Sequence, residues 1–439
     1  MQCIQDIIAW SGKVAHCISV YIRSRKHSRW ALRPIPDHYP VYVRLTAFGF
    51  VLGMMEVALA TAVAKRDADG SRRHLQVLSD DNVDFCSNDY LGFARSRELA
   101  DAIASAPHGH GSTGSRLVTG TSQLHLDVEA ELAAFYGYPS ALVFNSGYLA
   151  NLSVLSAVPQ PGDFVLYDEL VHNSCREGLR LGRATSAAFR HNDIEDLRAR
   201  LASAPATGNR VVVVESVYSM DGHIAPLVAM VRLCREFNAA LIVDEAHGVA
   251  VDGPQGAGVV RALGLEKDVF CTVYTFGKGM GIHGAVVCGP LVLKEYLVNY
   301  ARPFVYSTSL PASDMVTIRA AHAYCASAAG DSARRQLQSR VRRFRSRVRE
   351  NAVAIPPASL LHSSTAIQGV VCPGNARVLA AAAHLRTQGF NVVAIRAPTV
   401  PVHSERLRII LHAYNTDAEI DALVQHLAAF FLKHPASRL

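Results

Sequence analysis

A carboxylate, an imidazole and an amine lie close together in the stretch from Leu241 to Gly284. Asp244 follows three apolar residues typical of a buried strand, and His247 comes three positions later. Lys278 follows a second apolar run and lies between two glycines, where a ligand can approach without crowding from a Cβ atom. Because open α/β sheets hold ligands at the carboxyl ends of their strands, we expect these three side chains to share one site.

An acid and a lysine at the ends of two neighbouring strands are typical of an enzyme that uses pyridoxal phosphate. The lysine binds this cofactor covalently, and the acid favours the protonated form of the pyridine nitrogen. The alternative is that Lys278 is a solvated loop residue and Asp244 a helix cap. The Gly-Lys-Gly sequence lacks the Ser or Thr of a P-loop, and the glycine spacing does not match a dinucleotide fingerprint.

A second candidate feature lies earlier in the chain, where the apolar residues 141–144 lead into Asn-Ser-Gly-Tyr. A strand, a turn of small residues and a helix N-terminus together form an anion site, because free backbone N–H groups and the helix dipole favour phosphate. Ser146, Gly147 and Tyr148 are therefore predicted to bind a phosphate group. An ordinary strand-to-helix turn explains the same residues equally well.

Strand patterns alternate with helical patterns from residue 84 onward, which predicts an α/β protein with a doubly wound, mostly parallel sheet. His172 and Ser219 each follow a strand pattern and are predicted at the same edge of that sheet. A lone histidine in such a place is more often a structural cap than a ligand. Near the C-terminus, a helix over about 333–352 opens a smaller α+β unit, and a helix over about 416–433 closes it.

The size and composition of the chain indicate more than one structural domain, because 439 residues with 50% hydrophobic content can bury a sizeable core. We predict an N-terminal extension over 1–71, a large cofactor-binding domain over 72–325 and a small domain over 326–439. The net charge of +7 is scattered except over 334–349, which reads as a solvated helix face, so no nucleic acid partner is expected. The nine cysteines have no metal-ligand spacing, and we predict reduced thiols and no metal site.

The N-terminal extension is unlike the rest of the chain. Residues 1–40 are basic and aromatic, as in a transit peptide, and residues 45–64 are long enough to cross a bilayer. Glu56 lies near the middle of that apolar stretch, where a charge costs about 2.5–3.5 kcal/mol. A packed amphipathic helix, or a segment upstream of a start at Met54 or Met55, is therefore favoured over a membrane anchor.

Five separated motifs now agree in order: SNDYLG, NSGYLAN, VYSMDG, DEAHG and TFGKGMG. Together they resemble the α-oxoamine synthases over about residues 72–432. The resemblance implies the type I pyridoxal phosphate transferase fold and the decarboxylative condensation of an amino acid with an acyl-CoA. The TFGKG, YSTSLP and IRAPTVP runs, the last followed by RLR, are most similar to the branch that condenses L-alanine with pimeloyl-CoA in biotin synthesis.

The resemblance also implies a role for individual residues. Lys278 would bind the cofactor and remove the Cα proton of alanine, Asp244 would pair with the pyridine nitrogen, and His247 with the ring oxygen. His172 would stack on the ring. The other residues implied are Ser146, Gly147, Tyr148, Ser219, Thr275 and Thr308 for the cofactor, and Asn88, Arg408, Thr399 and Arg72 for the substrates.

The resemblance implies a homodimer with shared active sites, in which Thr308 reaches the phosphate of the neighbouring subunit. Asn88 and Arg408 would hold the amino acid carboxylate, with Arg408 as a bidentate fork. Thr399 would line the substrate site, and Arg72 would meet the acyl group.

Three other functions stay open from the sequence. Another α-oxoamine synthase would use glycine or serine with a different acyl-CoA, and a plain aminotransferase would need no acyl-CoA channel. A non-catalytic partner subunit is disfavoured because Lys278 is present. The last three residues, Ser437, Arg438 and Leu439, resemble the peroxisomal address S-K-L, which predicts peroxisomal import in a eukaryote and a cytoplasmic enzyme otherwise.

Overall fold

A computed structural model describes residues 47–69, 71–106, 109–397 and 399–434. The chain forms two compact units, Met1–Arg72 and Arg73–Leu439. The end of the first unit lies one residue beyond the predicted end of the N-terminal extension at residue 71. The C-terminal tripeptide 437–439 lies outside the described residues.

The first unit contributes one described helix, α1, Ala47–Ala68. Its side chains from residue 55 onward are exposed, including the large apolar side chains of Met55 and Leu59. The prediction of a packed amphipathic helix is therefore wrong, because the apolar residues are spread around the helix and form no single stripe to bury. Within the part of the chain that the structure describes, no helix combines the length and apolar character needed to cross a membrane.

The second unit alternates strands and helices over most of its length. The strands are β1 Val83–Asp84, β2 Ser140–Phe144, β3 Phe164–Asp168, β4 Thr185–Phe189, β5 Arg210–Glu215, β6 Ala239–Asp244, β7 Cys271–Thr275, β8 Ala285–Gly289, β9 Ile367–Val371, β10 Phe390–Asn391, β11 Val393–Ile395 and β12 Arg406–Ile410. The helices are α2 Arg97–Ala104, α3 Gln123–Tyr136, α4 Gly147–Ala157, α5 Asn173–Leu181, α6 Ile194–Ala202, α7 Leu227–Glu236, α8 Val259–Ala262, α9 Leu291–Tyr300, α10 Arg302–Val305, α11 Ala312–Cys325, α12 Ala328–Glu350, α13 Asn375–Thr387 and α14 Asp417–Lys433.

Seven strands form the central sheet, in the order β2-β8-β7-β6-β5-β3-β4. All neighbouring pairs are parallel except those of β8, which runs antiparallel to both β2 and β7. Along β5, Val212 and Val214 pack into one hydrophobic cluster, whereas Val211 and Val213 pack into another. Because successive strand residues point to opposite faces, the sheet is buried on both sides, as the predicted doubly wound α/β fold requires.

A smaller antiparallel sheet, β11-β12-β9, lies in the C-terminal part of the chain. The segment before the large sheet joins this part, because β1 pairs in parallel with β10 through Val83 and Phe390. The predicted boundary at residue 326 stays a prediction, since residues 73–439 form one compact unit.

Side-chain caps set the start of several helices. Asp193 accepts a hydrogen bond from the backbone N–H of Asp196 at the start of α6. The helix predicted over 333–352 begins earlier, at Ala328, because the Ser327 hydroxyl caps its first turn. These caps fix where the connecting loops end.

Candidate active site

The carboxyl ends of β5, β6 and β7 lie side by side in the central sheet. Glu215 ends β5 and is paired in register with Asp244, which ends β6. Thr275 ends β7, and Lys278 follows it three residues later. The predicted acid and lysine are thus delivered to one edge of the sheet by adjacent strands.

Lys278 is half-buried, and its Nζ lies 3.0 Å from Nε2 of His247. Burial lowers the pKa of Lys278, while the nearby carboxylates Asp244 and Glu215 oppose this shift. An amine with a lowered pKa is available as a base closer to neutral pH than an exposed lysine.

His247 connects the lysine to a buried hydrogen-bonded chain. Its Nδ1 lies 2.5 Å from the hydroxyl of Tyr90, which is 1% exposed and lies 3.1 Å from Oδ1 of Asn88. Burial lowers the pKa of His247 well below its usual range, and the positive charges of Lys278 and Arg408 lower it further. His247 is therefore a neutral imidazole, whose tautomer depends on its hydrogen bond with Tyr90.

Arg408, on β12, continues the hydrogen-bonded chain beyond Asn88. Its Nη2 donates to Oδ1 of Asn88 at 3.0 Å, and its Nε donates to the carbonyl of Ser219 at 2.7 Å. Asn88 and Arg408 were both predicted to hold a carboxylate, and the structure brings them together although they are 320 residues apart in sequence. Ser219 contributes its backbone carbonyl to this contact.

Asp244 is 5% exposed and holds two hydrogen bonds to its carboxylate. Asn151 donates to its Oδ2 at 2.7 Å, and the N–H of Ala246 donates to its Oδ1 at 2.8 Å. The neighbouring Glu215 is 2% exposed, and burial together with the charge of Asp244 raises its pKa well above the usual range. Burial therefore favours the protonated form of Glu215, whereas two hydrogen bonds stabilise the carboxylate of Asp244.

The raised pKa of Glu215 predicts how the stability of the folded protein depends on pH. A carboxyl group whose pKa is raised on folding stabilises the folded state below its unfolded pKa, and this contribution is lost as the pH rises through the folded value. Glu215→Gln resembles the protonated carboxyl and should remove that loss. We expect the variant and wild type to be equally stable below the ordinary glutamate pKa of 4.5, with the variant increasingly more stable as the pH rises above that value.

Thermal unfolding of the cofactor-loaded protein across this pH range measures the effect of Glu215→Gln. The matched control is Glu98→Gln, at an exposed position in the first turn of α2, which should follow wild type at every pH. If Glu215→Gln has the same pH dependence as wild type, Glu215 is ionised in the folded protein and the charge assignment at the sheet edge is wrong.

The predicted phosphate turn forms the start of α4. Ser146 is the N-cap, and its Oγ accepts a hydrogen bond from the N–H of Leu149. Gly147 is buried, and a Cβ atom there would lie 2.0 Å from Oγ1 of Thr275, so no other residue fits. Tyr148 is 44% exposed. The turn therefore presents backbone N–H groups and the positive end of a helix dipole next to the end of β7.

His172 is the N-cap of α5, and its side chain is exposed. Its ring Nδ1 accepts a hydrogen bond from the backbone N–H of Ser174. The backbone N–H of His172 donates to Oε1 of Glu215 at 2.5 Å. The ring is held at its Nδ1 edge, and its exposed surface is free to stack on a planar ligand.

These features fit pyridoxal phosphate. The hydrogen-bonded carboxylate of Asp244 matches the ring nitrogen of the cofactor, and the half-buried amine of Lys278 matches its aldehyde. The helix start at Gly147 matches its phosphate. The neutral imidazole of His247 lies between the amine and Tyr90, where it can meet a ring oxygen. The residues that would hold the cofactor are Lys278, Asp244, His247, His172, Ser146, Gly147, Tyr148 and Thr275.

Three predicted site residues make other contacts among the described residues. Thr308 is exposed, and its carbonyl accepts a hydrogen bond from Asn145. Thr399 is exposed, in a turn closed by its N–H. Arg72 ends the first unit and forms an ion pair with Asp67 at 2.6 Å. The roles of Thr308, Thr399 and Arg72 stay predictions.

The sequence reasoning missed three residues that complete the site: Tyr90, Asn151 and Glu215. Tyr90 lies inside SNDYLG and Asn151 inside NSGYLAN, so both were within recognised motifs. Glu215 ends its strand just as Asp244 does, which is the signal that could have identified it. Residues that meet a motif residue only in the folded protein can be recognised in the sequence only when they lie next to a motif.

The family model for aminotransferase class I and II matches residues 80–427. The 8-amino-7-oxononanoate synthase of Emericella nidulans is 37% identical over 404 residues, covering 85% of this chain and 95% of the relative. That of Marinobacter nauticus is 40% identical over 353 residues, covering 79% and 86%.

Solved structures give the same result. A serine palmitoyltransferase from S. paucimobilis with a bound PLP-myriocin aldimine has a TM-score of 0.77 and 29% identity, covering 85% of this chain and 96% of that one. The 8-amino-7-oxononanoate synthase of Francisella tularensis has a TM-score of 0.68 and 26% identity, covering 80% and 98%. The chain therefore belongs to the aminotransferase class I and II family and, within it, to the pyridoxal phosphate-dependent α-oxoamine synthases.

Proposed function

We propose that this enzyme condenses L-alanine with pimeloyl-CoA and releases CO₂ and coenzyme A, giving 8-amino-7-oxononanoate for biotin synthesis. The observation that carries the proposal is the pairing of Lys278, whose pKa is lowered, with the neutral His247 at 3.0 Å, at the same sheet edge as the hydrogen-bonded carboxylate of Asp244. The curated relatives with 37–40% identity carry the name of this activity.

When bound, pyridoxal phosphate supplies an electron sink for the bonds at the Cα atom of the amino acid. The residues of the chain do the rest. Asp244 presents its carboxylate at the sheet edge, where Asn151 and the N–H of Ala246 hold it by hydrogen bonds. Nζ of Lys278 accepts the Cα proton, since burial favours its neutral form.

Asn88 and Arg408 would orient the amino acid by its carboxylate. Arg408 is 8% exposed, so an ion pair with a substrate carboxylate would be formed away from bulk water. Its guanidinium is already fixed by Asn88 and by the carbonyl of Ser219, which limits the entropy lost on binding. A carboxylate held in this way keeps the Cα–H bond in one orientation toward Lys278.

Arg408→Lys should weaken the binding of L-alanine, because an ammonium group cannot reproduce the planar fork. Loss of a charge-assisted hydrogen bond costs about 1.5–3 kcal/mol, which corresponds to a loss of roughly 10- to 150-fold in kcat/KM for alanine. Steady-state kinetics should show the effect mainly in KM for alanine, with KM for pimeloyl-CoA unchanged. Arg198→Lys, on the exposed surface of α6, is the control. An equal rise in both KM values would contradict the carboxylate role.

A panel of substrate pairs tests the proposed function. Purified enzyme is incubated with L-alanine and pimeloyl-CoA, with glycine and acetyl-CoA or succinyl-CoA, and with serine and palmitoyl-CoA. Product formation and coenzyme A release should be greatest with the first pair. The second candidate is the serine and palmitoyl-CoA reaction, which the likeness to the S. paucimobilis enzyme favours. A preference for that pair would replace the proposed substrates.

We also propose a homodimer with shared active sites and, in a eukaryotic source, peroxisomal import. The dimer is supported by the exposed position of Thr308, whose predicted role requires a neighbouring subunit. Sedimentation analysis of the purified enzyme tests it, and a monomer would exclude it. The import proposal rests on the tripeptide 437–439. A fluorescent fusion with and without these residues tests that address, and identical diffuse staining would exclude it.

A further inference from the structure

A second group of polar side chains lies outside the cofactor site, on the loop after β4 and on the hairpin after β5. His191, Asp221 and His223 each offer one potential ligand atom, and these atoms all lie within 4.8 Å of one another. Nε2 of His191 is 2.9 Å from Nδ1 of His223, which is 3.4 Å from Oδ2 of Asp221. None of these side chains has a part in the proposed reaction.

A buried carboxylate fixes the orientation of the first histidine. Both oxygens of Asp168 lie about 3 Å from Nδ1 of His191, at 3.0 and 3.1 Å, and Asp168 is fully buried. Nδ1 of His191 therefore carries a proton, and its Nε2 presents a lone pair toward His223. A carboxylate behind an imidazole, with the other ring nitrogen facing inward, is the usual arrangement around a metal-binding histidine.

Asn192 adds an independent observation. Its Oδ1 is buried and has no hydrogen-bond partner among the described residues. Its Nδ2 lies 3.3 Å from Nε2 of His191, and its backbone has a positive φ of 54°. Rotation of the amide by half a turn would direct the unpartnered oxygen to the same place, and it would break the 3.3 Å hydrogen bond that Nδ2 donates to the carbonyl of Ile224. A cation between the two groups would satisfy this oxygen, which a hydrogen-bonded histidine pair alone does not.

The hairpin that carries Asp221 and His223 is rigid. Val217 and Ile224 form a β-bridge, and the N–H of His223 donates to Oδ1 of Asp221 at 3.1 Å. Gly222 between them has a φ of 73°, and a Cβ atom there would lie 2.4 Å from the carbonyl of Ile367. The two ligand candidates are thus held by a turn that cannot easily change its backbone, which lowers the cost of ordering them around an ion.

The local charge also favours a cation. Asp168 and Asp221 are both nearly or fully buried, and Arg406 is the cation that interacts with Asp221. His362 lies near enough to His223 to interact with it electrostatically. The two carboxylates and the one guanidinium together carry a net negative charge, which favours a cation.

We propose that His191, Asp221 and His223 bind a divalent transition metal ion of the zinc class, with the amide oxygen of Asn192 as the fourth neighbour. Imidazole and carboxylate ligands suit Zn²⁺, which is tetrahedral with bonds of about 2.1 Å, so its ligand atoms lie about 3.4 Å apart. The His223–Asp221 distance of 3.4 Å matches this value, and the histidine nitrogens at 2.9 Å need to separate by about 0.5 Å. The ion would take the place of the proton on Nδ1 of His223, and this proton would move to Nε2 of the same ring, so that both imidazoles bind as neutral ligands.

Such an ion would stabilise the hairpin that positions the substrate residues. Ser219 lies two residues before Asp221, and its carbonyl accepts the hydrogen bond from Arg408. The site is therefore structural, and the chemistry at Lys278 does not require it. The cysteine and histidine spacing in the sequence gave no indication of it, because the ligands lie 30 residues apart on two loops.

The test uses the cofactor-loaded enzyme, stripped of metal with a chelator and then titrated with Zn²⁺ or with Co²⁺ as a visible probe. Wild type should bind one ion per chain during the titration. With Co²⁺ it should develop the absorption of a tetrahedral site, and its unfolding temperature should be higher than that of the stripped enzyme. His223→Gln should not bind the ion, because it removes one of the three proposed ligands. The variant should still fold, since His223 is partly exposed and its replacement leaves the Asp168–His191 pair intact. His74→Gln, which removes an exposed histidine elsewhere, should bind as wild type does.

A second variant keeps the proposal testable if His223→Gln folds poorly. Asn192→Asp preserves the shape and tolerates the left-handed backbone, and its carboxylate should bind Zn²⁺ at least about tenfold more tightly. Normal cofactor absorption confirms that each variant is folded. The proposal is overturned if wild type binds no ion, if His223→Gln retains the stoichiometry of wild type, or if Asn192→Asp leaves the affinity unchanged.

Discussion

Lys278→Ala is expected to abolish turnover of L-alanine and pimeloyl-CoA, with a loss above about 10⁴-fold in kcat. The change removes the covalent link to the cofactor and the amine that accepts the Cα proton, and loss of a general base alone typically costs about 10²–10⁴-fold. The fold should persist, because among the described residues the side chain of Lys278 is hydrogen-bonded to His247 alone. Coupled assays of coenzyme A release measure the rate, and the visible spectrum reports the cofactor.

The spectrum separates two causes of an inactive Lys278→Ala variant. Wild type should be yellow, and the variant should hold the cofactor without a covalent bond, with its absorption band shifted. Lys267→Ala, on an exposed loop position, should keep both the colour and the rate of wild type. Residual turnover near the wild-type rate in Lys278→Ala would remove this lysine from the centre of the mechanism.

Asp244→Asn is the change with the next largest expected effect on kcat. The variant should bind the cofactor but lose roughly 10- to 150-fold in kcat, because a neutral amide no longer favours the protonated pyridine nitrogen, and a charge-assisted hydrogen bond contributes about 1.5–3 kcal/mol. The geometry should survive, since the amide of Asn151 can rotate to accept from the new NH₂ group. Single-turnover kinetics of proton removal from deuterated alanine measures the step directly.

A conservative substitution elsewhere provides the control for Asp244→Asn. Asp193 caps α6 through its side-chain oxygen, and asparagine is an equally good cap, so Asp193→Asn should leave rate and stability unchanged. If Asp244→Asn turns over at the wild-type rate, the charge on Asp244 has no part in the reaction, and Glu215 becomes the candidate for the ionised carboxylate.

The sequence was informative where function is attached to a strand end. Asp244 and Lys278 follow apolar runs, and the sheet places the ends of β6 and β7 next to each other, as predicted. The motif order then identified the family. The closing helix, predicted over about 416–433, forms over Asp417–Lys433, and a capping box of Thr416 and Glu419 sets its start.

The contacts that tune the site could not be predicted in the same way. The 2.5 Å contact between Tyr90 and His247 joins residues 157 positions apart, and no local pattern encodes such a pairing. The protonation of Glu215 depends on burial and on Asp244, which only the packed sheet determines. The His191 cluster has the same origin, because two loops with unrelated sequences meet only after the sheet has formed.

The pairing of β1 with β10 has a consequence for the synthesis of the enzyme. The strand that leads to Asn88 and Tyr90 is made early, but its partners at Phe390 and Arg408 leave the ribosome some 300 residues later. Loops closed over such separations slow folding. Lys278 and Asp244 can reach their strand ends before the carboxylate-binding pair exists. A nascent chain would thus acquire its cofactor-binding half first and its selectivity for the amino acid only on completion.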